Sequence, residues 1–194
     1  MYGKYRSSGA GVALEVDDFK NLYVKNCGGK YTEAAMEGRL FSVANQAAVA
    51  TTAALATTWT GLGVCNPTGS GKNIIVYEFG WAMTVIGSDD GAVGLMSSSD
   101  TGFAASLTAK AAMNGAGASI AHCDAVATIA TPILERVCGT IGTGATTTLI
   151  SVPQSIYQVD GSIVLPPGRS IMTYTTTATT AGAIFFFLWE EVDA

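Results

Sequence analysis

The 194-residue chain is rich in apolar residues and poor in charge: 48% of its residues are hydrophobic and 13% are charged, against roughly 25% charged in typical soluble domains. So little polar surface suits a lone monomer poorly, which leaves membrane insertion or assembly. No stretch approaches the roughly 20 consecutive apolar residues of a membrane-spanning helix, and no apolar segment typical of a secretory signal follows the N-terminus. We therefore expect no membrane partner and favour assembly.

The net charge of −5 argues against a body surface that binds nucleic acid. The four cysteines are Cys27, Cys65, Cys123 and Cys138, and no two of them have CxxC spacing. A protein made in a cytoplasm keeps its thiols reduced, so we interpret these cysteines as small buried apolar residues.

Charge is distributed unevenly along the chain. Residues 1–40 contain six basic and five acidic residues, whereas residues 41–194 contain four basic and ten acidic ones. This shift predicts an extended N-terminal arm at residues 1–40 and a Gly-, Ala- and Thr-rich body at residues 41–194. Such an arm is a flexible terminus, folds onto its own body, or lies across a neighbouring subunit or partner.

The arm interleaves tyrosines with basic residues, and these are candidate contact residues. The candidates are Tyr2, Lys4, Tyr5, Arg6, Lys20, Tyr23 and Lys25. Aromatic rings between cations can stack on single-stranded nucleic acid. The arm carries a net charge of only +1, so contacts with a protein surface, which use the same residue types, are the better prediction.

The body reads as short strands separated by turns. The predicted strands span residues 61–65, 73–86, 92–96, 119–130, 133–138, 149–152, 156–159, 163–165, 170–175 and 183–192. Residues 41–60 also favour strand, and residues 104–114 read as a short helix ended by Gly115. Eight or more strands with regular turns predict an all-β fold, and specifically a jelly-roll-like β-sandwich.

Residues 73–86 show the strongest alternation of apolar and polar residues in the chain. Alternate side chains of a strand point to opposite faces. The predicted apolar face holds Ile75, Tyr77, Phe79, Trp81, Met83 and Val85. Gly80, on the opposite face, is a candidate β-bulge.

The last strand, at residues 183–192, is apolar on both faces. Phe185, Phe187 and Trp189 share one face, and Ile184, Phe186 and Leu188 the other. A half-exposed antiparallel strand is normally apolar on one face only. We expect one face to form the core and the other to contact a second subunit or the arm, and we take Phe185, Phe187 and Trp189 as candidate interaction residues.

No group of residues predicts catalysis or cofactor binding. The run Gly69-Ser70-Gly71-Lys72 lacks the first glycine and the last hydroxyl of a phosphate-binding loop, so it is interpreted as a hairpin turn. His122, the only histidine, precedes Cys123 and Asp124. Adjacent strand residues face opposite ways, so His122 and Cys123 do not form a base–nucleophile pair, and one histidine with dispersed thiols lacks the ligand set of a zinc site. The pair Glu190-Glu191 is interpreted as a solvated strand end. We expect no catalytic residue, no metal site and no cofactor.

Several turn and strand-end motifs resemble a known family. They are the runs at residues 39–48 and 60–62, Asn66-Pro67-Thr68-Gly69-Ser70-Gly71-Lys72-Asn73, Leu165-Pro166-Pro167-Gly168, and Trp189-Glu190-Glu191-Val192. Over roughly residues 30–192 the chain resembles tailed-bacteriophage virion proteins.

This resemblance implies a capsid decoration, or cement, protein with a jelly-roll body. Such a protein would be a homotrimer, would be made in the host cytoplasm, and would lie on the capsid surface, where it bridges copies of the major capsid protein. The alternative is a receptor- or glycan-binding tip of a tail fibre or spike. Residues 1–38 carry none of these motifs.

Overall fold

The computed structural model describes residues 2–4, 11–13, 29–84, 91–99, 102–113, 116–141, 155–179 and 182–194. The chain divides into two compact units, Met1–Glu33 and Ala34–Ala194. In the smaller unit, β1 (Tyr2–Lys4) pairs with β2 (Gly11–Ala13) in antiparallel register. Residues 34–40 belong to the larger unit, whereas the charge distribution of the sequence places them in the arm. Among the described residues no helix is long and apolar enough to cross a membrane.

The larger unit is built almost entirely from antiparallel strands. After α1 (Thr32–Met36), which begins at the boundary, the strands are β3 (Leu40–Ala44), β4 (Thr58–Asn66), β5 (Lys72–Met83), β6 (Gly91–Ser98), β7 (Lys110–Ala111), β8 (His122–Thr128), β9 (Ile133–Ile141), β10 (Ser155–Leu165), β11 (Arg169–Thr175) and β12 (Ala183–Asp193). The first sheet has the order β10-β5-β12-β3-β7, and the second β8-β4-β11-β6-β9.

The strand pairings are nested, as in a jelly roll. Strand β4 pairs with β11, β5 with β10, and β6 with β9, so the chain folds back on itself as a long hairpin rolled into two sheets. One difference is that β12 lies between β5 and β3 in the first sheet. The predicted all-β, jelly-roll-like sandwich is confirmed.

Two turns carry the chain between the sheets at one end of the sandwich. One joins β4 to β5 and the other joins β10 to β11, so the prediction of a hairpin turn after Asn66 is wrong. The Asn66 side-chain amide donates to the carbonyls of Lys72 (2.7 Å) and Leu165 (2.8 Å). The backbone carbonyl of Asn66 accepts a hydrogen bond from the Gly168 N–H at 2.8 Å. The buried Asn66 therefore links the two turns.

The core between the sheets is centred on Phe79. Its ring lies 5.1 Å from the ring of Phe187 and 6.1 Å from that of Phe185, centroid to centroid. Phe185, Phe187 and Trp189 all have 0% of their surface exposed. Their burial corrects the assignment of these three residues to an interaction surface, because a side chain enclosed by its own sheets cannot reach a partner.

A β-bulge changes which residues of β5 face the core. Val76 lies opposite Trp189 and Glu78 lies opposite Leu188, which leaves Tyr77 as the extra residue. The core residues are consequently Ile74 and Val76 before the bulge and Phe79 and Trp81 after it, with Met83 partly buried against them. The predicted single face from Ile75 to Met83 is wrong because an extra residue reverses the alternation, and Val85 lies outside the described residues.

Gly80 is not the extra residue of the bulge; it leaves space for an aromatic ring. A Cβ atom at Gly80 would lie 2.0 Å from Cε1 of Phe186. Only glycine leaves room there, so the Phe186 ring lies flat over β5 on the side away from the core.

Strand β10 is one bent strand rather than the two strands predicted at residues 156–159 and 163–165. Its register with β5 shifts between Gln158 and Ile163. Asp160 and Gly161 have φ angles of 52° and 75°, which place them in the left-handed region and bend the strand. The strand predicted at residues 149–152 lies outside the described residues.

The segment between β6 and β7 covers the outer face of the second sheet. Its Phe103 packs on Trp59, with ring centroids 6.3 Å apart, against a cluster that includes Met96 and Met172. A Cβ at Gly63 would lie 2.6 Å from the Phe103 ring, so glycine admits this close approach. The prediction of a helix at residues 104–114 is wrong, because residues 104–113 contain no helical turn and include the short strand β7.

Asp124, which is 2% exposed, fixes this covering segment in place. Its carboxylate accepts hydrogen bonds from three consecutive backbone N–H groups: those of Ala104, Ala105 (3.2 Å) and Ser106 (2.8 Å). Three N–H groups on one carboxylate resemble the nests that bind anions. The second sheet thus has a cover made by its own chain.

We expect Asp124→Ala to lower the free energy of unfolding by about 3 kcal/mol, since three backbone N–H groups lose the charged acceptor that they share. Asp124→Asn keeps one acceptor oxygen and should cost less. Urea unfolding followed by tryptophan fluorescence measures both. Asp193→Ala, which removes a carboxylate from a side chain that is 96% exposed, is the control and should change stability little. Equal effects of the Asp124 and Asp193 variants would contradict the role of Asp124 in holding the covering segment.

Candidate interaction surface

The outer face of the first sheet is apolar, and the body leaves it partly uncovered. Ile156 and Val164 on β10 are each 49% exposed. Four further apolar residues on the same side are half-buried. We call this set the outer apolar face, and its residues are Ile75, Ile156, Val164, Ile184, Phe186 and Leu188.

The strand register brings these residues together. Ile156 and Phe186 lie on either side of Gly80, one on β10 and the other on β12. Val164 lies opposite Ile75 in the same way. Directly paired residues on one face are about 4.5–5.5 Å apart at Cβ, so Val164 contacts Ile75, while Ile156 and Phe186 approach each other across Gly80, and the outer apolar face spans three strands. The expectation that one face of β12 forms the core is confirmed, and the other face remains open to a partner.

One polar row crosses the outer apolar face. The Gln158 amide donates to Glu78 at 3.2 Å, and Glu78 lies opposite Leu188. At the end of the face, Tyr77 donates to Glu190 at 2.5 Å, and Arg39 pairs with Glu190 and with Glu37 (2.7 Å). These hydrogen bonds and ion pairs provide partners for the polar groups on this side of the sheet. The apolar side chains beside them face outward.

The two glutamates at the end of β12 are buried, so the prediction of a solvated strand end is wrong. Glu190 is 7% exposed and Glu191 is 2% exposed. Glu191 points inward and accepts hydrogen bonds from the Ser119 hydroxyl (2.5 Å) and the Ile120 N–H (3.1 Å). Trp189 donates its indole N–H to the same carboxylate at 3.3 Å. Glu191 therefore closes one end of the sandwich.

The described cysteines, Cys65, Cys123 and Cys138, are free thiols. Burial, with a smaller contribution from the negative charge of Asp124, raises the pKa of Cys123 well above its usual range. Burial also raises the pKa of Cys138 to about 11, partly offset by the charge of Arg136. Thiols that stay protonated are poor nucleophiles.

No set of three or more potential metal ligands occurs in the part of the chain that the structure describes. His122 lies on β8 opposite Cys65 of β4, half-buried at an edge of the second sheet. The surroundings of His122 are therefore the pair of strands β4 and β8 and the adjoining core.

The candidate contact residues of the arm cannot be assigned to a surface. Tyr2 and Lys4 lie in β1, and the others, Tyr5, Arg6, Lys20, Tyr23 and Lys25, lie outside the described residues. They stay predictions.

Sequence reasoning missed the residues that the structure leaves most exposed. Five of the nine large apolar side chains exposed in the described part lie on β9 and β10: Ile133 (63%), Leu134 (39%), Val137 (58%), Ile156 and Val164. Both strands lie at the edge of their sheets. Edge position depends on tertiary pairing, and nothing in the local alternation of these strands indicates it.

The sequence matches no protein-family model, and neither a curated protein nor a solved structure matches the chain.

We expect the two faces of β12 to differ sharply in their effect on stability. Phe187→Ala should lower the free energy of unfolding by about 3–5 kcal/mol, because it opens a cavity in the core. Phe186→Ala removes a ring that is already partly in water and should cost less than about 2 kcal/mol. Urea titration at a protein concentration low enough to keep the chain monomeric measures both. Similar losses would mean that both faces are enclosed.

Proposed function

We propose that this chain is a structural protein that self-associates through the outer apolar face, and that it does so as a component of a tailed-phage virion. One observation carries the proposal: the body covers the outer face of its second sheet with its own Phe103 segment and leaves the apolar outer face of its first sheet open. Exposed contiguous apolar surface on a soluble protein typically marks an interaction site.

The composition supports the same proposal. A chain with 13% charged residues has few ionic groups with which to keep monomers apart. The aromatic and branched side chains of the outer apolar face are of the kind that form the centre of protein interfaces. Burying apolar area contributes about 25 cal/mol per Å², and Ile156 and Val164 have about half of their surface left to bury.

The specific role that we propose is capsid decoration. Trimers on the capsid surface would bridge neighbouring copies of the major capsid protein, with the N-terminal arm adding contacts beyond the body by avidity. This role needs neither catalysis nor a cofactor. It is supported by the motifs at residues 66–73 and 165–168, which Asn66 holds side by side at one end of the sandwich.

Val164→Glu should shift the protein from oligomer to monomer, because a carboxylate on the outer apolar face would be buried without a partner in the assembly. Val126→Glu is the matched control: Val126 is 58% exposed on β8, at the edge of the other sheet, and its replacement should leave the oligomer intact. Sedimentation velocity at equal protein concentration distinguishes the two. A monomeric native protein, or equal effects of both variants, would contradict self-association through this face.

Removal of residues 1–38 should leave a folded oligomer that no longer binds capsids, since the arm supplies contacts that the body lacks. Co-sedimentation with capsids free of this protein measures the loss, and the full-length chain is the control. Normal binding by the truncated chain would refute the role of the arm.

The copy number in purified particles, measured by quantitative mass spectrometry, separates the two virion roles. A number that scales with the number of capsomers supports decoration. A handful of copies would favour a receptor- or glycan-binding tip instead.

A further inference from the structure

A groove runs along the open edge of the sandwich between strands β9, β10 and β11. Its walls include Arg136, Ser162, Val164 and Arg169, and its floor includes Leu165 and Ile171. Leu165 and Ile171 are 4% and 0% exposed. The groove therefore combines a buried apolar floor with polar and cationic walls.

The positive charge of this groove is unusual for the chain. Residues 41–194 contain four basic residues, Lys72, Lys110, Arg136 and Arg169, against ten acidic ones. Two of the four line this one groove. A body with an excess of negative charge thus concentrates half of its cations along one edge.

Neither arginine of the groove forms an ion pair with a described acidic side chain, as Arg39 does with Glu190. Arg136 donates only to the carbonyl of Ser162, at 3.4 Å. A guanidinium presents five N–H donors in a fixed fork that matches a carboxylate. Most of this donor capacity is unused in the described chain.

Glu135, the one acidic residue among those that line the groove, already has a hydrogen-bond partner. It accepts a hydrogen bond from the Ser97 hydroxyl at 2.5 Å. It is also the extra residue of a bulge, since Leu95 lies opposite Arg136 and Met96 lies opposite Leu134. Bulges change the direction of side chains at sheet edges. Here the bulge places the side chains of Glu135 and Arg136 beside different neighbours.

Two strands that border the groove lie at the edges of their sheets. Among the strands that the structure describes, β9 pairs only with β6, and β10 pairs only with β5. An extended peptide can add to such an edge through main-chain hydrogen bonds, while pockets beside it take alternate side chains. A lone anion would use neither the strand edges nor the apolar floor.

We infer that this groove binds an extended acidic segment of a partner protein, whose carboxylates pair with Arg136 and Arg169 while its intervening side chains cover the floor. The inference does not depend on self-association through the outer apolar face. It assigns to the chain a second contact, with a partner recognised by its negative charge.

The test measures binding of a fluorescent capped peptide of alternating glutamate and valine to the full chain by anisotropy at low salt. We expect saturable binding that weakens as salt rises. Arg136→Gln and Arg169→Gln should each reduce affinity by about three- to tenfold, as expected for exposed charge-assisted pairs. Glu135→Gln should increase affinity, because it removes the only negative side chain among the groove residues.

Three controls separate site binding from general attraction. Lys110→Gln removes the same charge from an exposed position on β7 and should leave affinity unchanged. A peptide with glutamine in place of glutamate should bind at least tenfold more weakly. Inorganic phosphate should compete poorly, since it cannot occupy the length of the groove.

Several outcomes would overturn the inference. These are absence of saturable binding, equal losses in the Lys110 and arginine variants, equal affinity for the glutamine peptide, and displacement by phosphate at concentrations comparable to those of the peptide. Arg136→Lys adds a geometric check: retention of charge without the guanidinium fork should give an affinity between those of the native chain and Arg136→Gln.

Discussion

A β-sheet has two faces, and every face that carries large apolar side chains needs a cover. The two sheets of the body have four faces, and the two inner ones cover each other around Phe79. The outer face of the second sheet is covered by the segment that Asp124 holds in place. No described segment of the body covers the outer face of the first sheet in the same way, and this difference between two otherwise similar sheets is the basis for the proposed role in assembly.

The sequence was sufficient for the fold class and for the character of β12. Short alternating segments with regular turns predict a sandwich, and an uninterrupted run from Ala183 to Trp189 predicts a strand that needs cover on both sides. It could not show which face of β12 forms the core, because both faces are apolar. That choice depends on the fit of Phe186 over Gly80 on one side and of Phe187 against Phe79 on the other.

Other predictions failed because a neighbouring strand decides the outcome. The alternation in β5 is regular in the sequence, but the bulge at Tyr77 arises from pairing with β12. Residues 104–109 have helix-forming alanines, but the Asp124 carboxylate, distant in sequence, binds the N–H groups of residues 104–106 and holds them out of a helix. The exposed positions of β9 and β10 follow from their place at the sheet edges. The candidate surface could be predicted as a property of β12 but not as a patch on three strands.

The buried carboxylates explain why cationic groups remain available at the surface. Asp124 is held by backbone N–H groups alone, and Glu191 by a hydroxyl, a backbone N–H and an indole N–H. Neither forms an ion pair with a described basic residue. A carboxylate that accepts several N–H bonds is stabilised without a cation. These internal acids need no counter-charge, and Arg136 and Arg169, which form no ion pair with a described acidic residue, both line the groove between β9, β10 and β11.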